Sequence, residues 1–238
     1  MAEKNLKVAI VTGASSGIGN ATAILLAKEG MKLCLAARRK AELQKVQKAC
    51  GRNARIFPAD IRNPKDIQAL IHQTFETFGR IDVLVNSAGI LTSAPLDGTP
   101  VERIREILDT NLLGTTLCCR EVLPLMKRQR SGHIVNISSI AGTVPQENMA
   151  LYTASKYGVV GFSDALQKEV KPYGIKVSTL RPGTVVTDLW NEYWTDREER
   201  EALAKQLLQP EDVARAILFV LTQPLHVIIR DLSIHPNK

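Results

Sequence analysis

Short runs rich in Val, Ile and Leu alternate with longer stretches of helical spacing from one end of the chain to the other. Lys7 to Val11, Lys32 to Ala36, Ala54 to Pro58, Ile81 to Asn86, Gly132 to Ser138, Ile175 to Arg181 and Val227 to Leu232 read as strands. The stretches between them read as helices. Several of the strands are nearly continuous in apolar residues, as expected when both faces of a sheet are covered. Strict strand–helix alternation of this kind predicts an α/β architecture, and right-handed crossovers make it a doubly wound parallel seven-stranded sheet flanked by helices. No repeat, low-complexity stretch or Gly/Ser/Pro-rich linker interrupts the pattern, so one domain over residues 1–238 is expected.

Composition supports a single core: 238 residues are 45% hydrophobic and 23% charged. Met1 to Lys7 mix charged and polar groups, and Val8 to Val11 is too short for the apolar core of a secretory leader. No apolar run approaches the roughly 20 residues that span a bilayer, so a soluble, cytoplasmic protein with no membrane partner is expected. Cys34, Cys50, Cys118 and Cys119 form no C-x-x-C pair, which suits reduced, structural thiols in a reducing compartment. His72, His133, His226 and His235 stand far apart without ligand-spaced partners, so no metal is expected. The net charge of +7 raises the question of nucleic acid. The basic residues are scattered, however, and 5% aromatics offer few stacking platforms, so a basic surface that attracts anionic ligands is the better reading.

The first strand runs straight into Thr12-Gly13-Ala14-Ser15-Ser16-Gly17-Ile18-Gly19, and a helical pattern follows to Glu29. Glycines at a strand-to-helix turn let the backbone approach a pyrophosphate, and the helix N-terminus supplies free N–H groups and a positive dipole end. A P-loop is ruled out because no Lys-Ser or Lys-Thr follows the last glycine. Gly13-Ala14-Ser15-Ser16-Gly17 also fits a G-x-S-x-G nucleophile elbow, but such a serine normally stands on an inner strand with several strands before it. The second strand ends in Ala36-Ala37-Arg38-Arg39, with no acid before Glu42 to hold a ribose 2′-hydroxyl. Arginine there can bind a 2′-phosphate through its fork of donors, so NADP(H) is expected, with Arg38 as the main contact and Arg39 and Ser15 assisting.

Tyr152-Thr153-Ala154-Ser155-Lys156 opens another helical pattern, running to about Lys171. A spacing of four puts Tyr152 and Lys156 one turn apart on one face. A phenol of pKa about 10 is a poor base at neutral pH, and a neighbouring ammonium favours the phenolate. The pair gains meaning from its company: Thr12-Gly13-x-x-x-Gly17-Ile18-Gly19, Asn86-Ser87-Ala88-Gly89, Asn111, Ile137-Ser138-Ser139, Tyr152-x-x-x-Lys156 and Arg181-Pro182-Gly183, in that order. Over practically its whole length the chain resembles the short-chain dehydrogenase/reductase family, whose fold is Rossmann-like. Ser87 departs from the alanine usual in the family's Asn-Ala-Gly motif.

The resemblance implies roles. Ser139 is expected to hydrogen-bond the substrate oxygen, Tyr152 to exchange a proton with it, and Lys156 to hold the nicotinamide ribose and tune the tyrosine. Asn111 is expected to distort its helix and position a water joined to the lysine. The cofactor is expected to touch Gly13, Ser15, Ser16, Gly17, Ile18 and Gly19 at the first turn, then Arg38 and Arg39. Asp60 and Ile61 are expected near the adenine, Asn86, Ala88 and Gly89 along the cleft, and Pro182, Gly183, Val185 and Thr187 at the carboxamide, with Tyr152 and Lys156 completing the set.

The substrate, a small alcohol or carbonyl compound, is expected between the Ile140 to Met149 loop and the segment after Thr187. That segment carries Trp190, Tyr193 and Trp194, and reads as a small lid at about 187–208. The tail from Pro210 onward resembles bacterial family members acting on 3-hydroxy acids, serine-type compounds or small alcohols. Two other readings stand beside this one: a 3-oxoacyl-thioester reductase, which would exploit the basic surface, and a nucleotide-sensing protein without turnover. Ala154, Gly158, Gly161 and Ala165 form a stripe of small residues. The resemblance implies a dimer through Val101 to Met126 and Tyr152 to Lys171, and a homotetramer through the C-terminal strand.

Overall fold

The computed structural model describes residues 7–191 and 197–237. Seven strands form one sheet: β1 (Val8–Thr12), β2 (Lys32–Ala37), β3 (Ala54–Pro58), β4 (Val83–Asn86), β5 (Gly132–Ile137), β6 (Ile175–Pro182) and β7 (Asp231–Ile234). They lie in the order β3-β2-β1-β4-β5-β6-β7, and every neighbouring pair is parallel. The helices are α1 (Gly17–Lys28), α2 (Lys40–Cys50), α3 (Pro64–Phe78), α4 (Val101–Leu108), α5 (Gly114–Gln129), α6 (Ala150–Val170), α7 (Arg197–Ala204) and α8 (Pro210–Leu221). This is the doubly wound, Rossmann-like sheet expected from the sequence.

The period of two along each strand divides the core into two layers. Ala9 and Val11 of β1 join Leu33 and Leu35 under Leu26 of α1, Leu43 of α2 and Ile217 of α8. Ile10 points the other way, with Cys34, Leu84 and Ile134, toward Leu70 of α3, Val122 of α5 and Leu166 of α6. Because both faces are covered, neither set could be exchanged for polar residues, which is why the strands lack alternation. The chain adds strands outward from β1 to β3, then returns to lay β4 on the other side of β1. A crevice opens between their carboxyl ends, where sheets of this kind bind ligands.

Several departures from the sequence expectation exceed a one-residue shift of an element's end. Strand β4 starts at Val83 instead of Ile81, because the Gln129 side chain accepts from the Ile81 N–H at 3.0 Å and donates to its carbonyl at 2.8 Å. Strand β7 starts at Asp231 instead of Val227. Here Lys176 Nζ donates to the carbonyls of Pro224 and Val227, and Ser178 Oγ to that of Ile229, so side chains occupy groups a ladder would have used. The expected helix from Val101 to Met126 contains a π-helical turn, Asp109–Leu113, between α4 and α5. The stripe of small residues also divides. A side chain at Gly158 would strike Leu112, whereas Gly161 meets nothing within 4 Å. Tyr193 and Trp194, two of the three aromatics of the expected lid, lie outside the described residues.

Candidate active site

The turn after β1 is built for close approach. Gly13 (φ 66°) and Gly17 (φ 52°) adopt left-handed conformations that favour glycine, and a Cβ at Gly13 would lie 2.7 Å from the Ala88 backbone. Thr12 Oγ1 accepts from the N–H groups of Ser87 and Ala88, tying this turn to the end of β4. Gly19 serves packing instead: its Cβ would fall 2.4 Å from the Gly13 carbonyl oxygen. The first turn of α1 carries no acid, and its N-cap Ser16 makes no side-chain cap, so the N-terminal N–H groups keep their field toward the crevice.

Arg39 Nη2 donates to Ser15 Oγ at 3.1 Å and to Ser16 Oγ at 2.8 Å, bridging the ends of β1 and β2. Arg38 lines the same cleft. The sequence reading ranks Arg38 first; the geometry brings Arg39 onto the glycine turn. The cleft has a volume of about 520 Å³ and reaches from these arginines past Asp60, Ile61 and Ala88 to Gly89.

Along its wall lies an ion-pair chain that the sequence reading misses. Arg62 grips both carboxylate oxygens of Asp60 and also faces Glu106 at 3.6 Å. Glu106 in turn pairs with Arg103, which donates to Thr92 Oγ1 and the Leu91 carbonyl. The Arg62 guanidinium holds the Asp60 carboxyl below its usual range. Charges three residues apart on a helix, as in Arg103 and Glu106, were the one available signal.

A smaller cavity of about 80 Å³ continues from the cleft, sharing Ile18, Ser87, Gly89, Ile90, Thr187 and Leu189 with it. Ser139, Tyr152 and Lys156 meet here, although they come from the end of β5 and the first turns of α6. Ser139 Oγ accepts from the Ala141 N–H at 3.2 Å, which leaves its own proton for the Tyr152 oxygen. Burial pushes the Tyr152 phenol above its ordinary value, and the Ser139 hydrogen bond pulls part of the way back. Desolvation thus outweighs the stabilising contacts, and the protonated phenol is the favoured form. Lys156 is 5% exposed, its Nζ donates to the Ile137 carbonyl at 3.0 Å, and it sits 5.6 Å from the centre of the Tyr152 ring. Burial pushes the Lys156 ammonium down to about 8.

Asn111 lies in the π-helical turn, as a helix-distorting residue should. Its side chain accepts from Ile90 N–H at 2.8 Å, donates to the Ile90 carbonyl at 2.9 Å and to Ser155 Oγ at 3.0 Å. These bonds fix the cavity wall next to Gly89, where an added Cβ would meet both Asn111 Oδ1 and Lys156 Nζ. Asn86 departs from its expected place along the cleft. It is 3% exposed, and its amide turns into the core, donating to Asn136 Oδ1 at 2.8 Å and facing Cys119 Sγ. Gly183 and Val185 line the small cavity with Pro182, held by a bridge between Val185 and Leu208.

A family model described as short chain dehydrogenase matches residues 7–198. An uncharacterized oxidoreductase of Staphylococcus aureus is 38% identical over 232 residues, covering 97% of this chain and 97% of that one. The closed form of serine dehydrogenase, complexed with NADP+, superposes with a TM-score of 0.90 at 32% identity, covering 96% of this chain and 94% of its own. The 3-ketoacyl-(acyl-carrier-protein) reductase from Brucella melitensis, complexed with NADH, gives 0.87 at 32% identity and covers 96% of both chains.

Proposed function

The chain belongs to the short-chain dehydrogenase family of oxidoreductases, and from that premise we propose that it interconverts an alcohol and a carbonyl on a small substrate with NADP(H). One observation carries the reading: Tyr152, beside Ser139 and one turn from buried Lys156, faces a small cavity continuous with the glycine-lined cleft. Both NADP+ and NADH occur among the similar solved structures, so the choice between them rests on this chain's own residues. Arg38 and Arg39 beside Ser15 and Ser16 favour a 2′-phosphate, and no carboxylate of β2 opposes it.

The cleft fits the dinucleotide because its cradle is made of backbone that a Cβ would fill, facing the N-terminus of α1. Gly13, Ser15, Ser16, Gly17 and Ile18 would hold the pyrophosphate half, Asp60 and Ile61 the adenine, and Gly89, Pro182, Gly183, Val185 and Thr187 the nicotinamide half. When bound, the cofactor supplies the hydride: carbonyl, NADPH and a proton give alcohol and NADP+. Ser139 and Tyr152 would orient the carbonyl oxygen. Tyr152 keeps its proton at neutral pH, so it is poised to donate as negative charge develops on that oxygen. Lys156 would then stand beside the phenolate as a fixed positive charge. Asn111 would hold Ile90 and the adjoining wall in place.

The same reading carries a cytoplasmic setting, supported by four free cysteines. It also carries assembly into a dimer or tetramer, supported by open space over Gly161 and by exposed Val101, Leu113 and Tyr157 on the helices concerned. The test is loss of NADPH absorbance across small ketones, aldehydes, 3-oxo acids, diketones and 3-oxoacyl thioesters. Turnover of one class, with NADH clearly poorer, supports the reading; no turnover despite tight NADPH binding favours a nucleotide sensor.

A further inference from the structure

The cavity that holds the Ser139 and Tyr152 hydroxyls is lined by apolar side chains and neutral polar groups. Ile90, Ile140, Met149, Leu189 and Trp190 surround it, and Gln146 at its rim adds a neutral amide. Among the described residues lining it, Lys156 is the one cation, and none is an acid. Lys156 does not face an incoming carboxylate as a free partner: it is buried and spends a hydrogen bond on the Ile137 carbonyl.

A carboxylate carried into such walls loses water and gains no ion pair, and an uncompensated charge in an apolar cavity is strongly disfavoured. It would also set a negative charge beside Tyr152, opposing the phenolate that proton donation leaves behind. Hydrocarbon next to a neutral carbonyl meets the opposite situation, since both wall and ligand shed water from apolar surface.

We propose that this site takes an uncharged ketone or aldehyde, or the matching alcohol, and discriminates against oxo acids of the same skeleton. The proposal rests on the oxidoreductase reading above and narrows it, departing from the hydroxy-acid substrate that the C-terminal tail suggests. Met149 and Gln146, opposite each other in kind, become the residues that set this preference.

The experiment compares matched pairs, methyl acetoacetate with acetoacetate and methyl pyruvate with pyruvate, by kcat/KM with NADPH, alongside a fluorescence titration of NADPH. The ester of each pair is expected to exceed its acid by at least about tenfold, equivalent to roughly 1.4 kcal/mol. Gln146→Arg, at an exposed position, is expected to raise kcat/KM for the acids about tenfold and leave the esters unimproved. Acids turned over as well as their esters overturn the proposal, as does an unchanged ratio in Gln146→Arg. Tight NADPH binding without turnover of any neutral ketone or aldehyde overturns it too. Failure to bind NADPH strikes instead at the oxidoreductase reading itself.

Discussion

Replacing Lys156 by methionine should make the protein more stable and less useful. Burial pushes this ammonium from 10.5 down to about 8, so the fold carries the cost of keeping it charged. Each pKa unit corresponds to about 1.4 kcal/mol, which puts that cost at about 3 kcal/mol at neutral pH. Methionine fills the same space without charge but gives up the hydrogen bond to the Ile137 carbonyl, a loss of about 1 kcal/mol. The net expectation is a gain of about 2 kcal/mol, or a rise in Tm of about 5 °C for a domain of this size. The pH dependence follows from the same shift. A lysine whose pKa is depressed in the fold burdens it fully below about pH 8, and the burden fades as pH rises toward the unfolded value of 10.5. Thermal melts of Lys156→Met and wild type without added cofactor should therefore favour the variant most at pH 7, cross as the pH rises, and leave the variant lower by about 1 kcal/mol near pH 10.5, while carbonyl reduction is lost. A variant that melts at or below wild type at pH 7 refutes the reasoning, and so does an advantage of the variant that persists at high pH.

Further expectations come from other parts of the molecule. Changing both Arg38 and Arg39 to Gln should raise the Kd for NADPH by roughly 10- to 100-fold and leave that for NADH within about threefold, as read by fluorescence titration. Gly19→Ala forces a methyl against the Gly13 carbonyl, so a loss of about 1–3 kcal/mol in urea unfolding and a weakened grip on NADPH should appear together. His133 is buried, and desolvation, aided by Lys176 and Lys7, pushes it down to about 3. Its contribution is whole above about 6.5 and is lost as pH falls toward 3, amounting to about 2 kcal/mol by pH 5; His133→Gln should flatten that slope in urea titrations.

The same residue shows how a neighbour decides a proton. Ser178 Oγ donates to the Ile229 carbonyl at 2.6 Å, so the 2.8 Å contact with His133 needs the ring to donate from Nε2. Nothing in the sequence pairs residues 133 and 178, since only the register of β5 with β6 brings them together. That contrast holds throughout. Strand order and the two-layered core could be read from runs such as Val8–Thr12, because burial on both faces leaves a direct mark on composition. The glycine turn was equally visible, as left-handed backbone at Gly13 and Gly17 demands its residue type. The inward turn of Asn86 was hidden, because its motif is the same whether the amide faces cleft or core. So was the Arg62 bridge from Asp60 to Glu106, whose members come from the β3–α3 loop and α4. Strand ends erred where side chains such as Gln129 and Lys176 captured backbone groups from a distance.

The central claim is that Tyr152 moves the substrate proton at a site that holds NADPH. Its most direct test is Tyr152→Phe, compared with wild type for NADPH affinity and for steady-state reduction of a turned-over carbonyl. The account predicts an unchanged Kd and a fall in kcat of about 100-fold or more. A phenylalanine variant that turns over near the wild-type rate would contradict it.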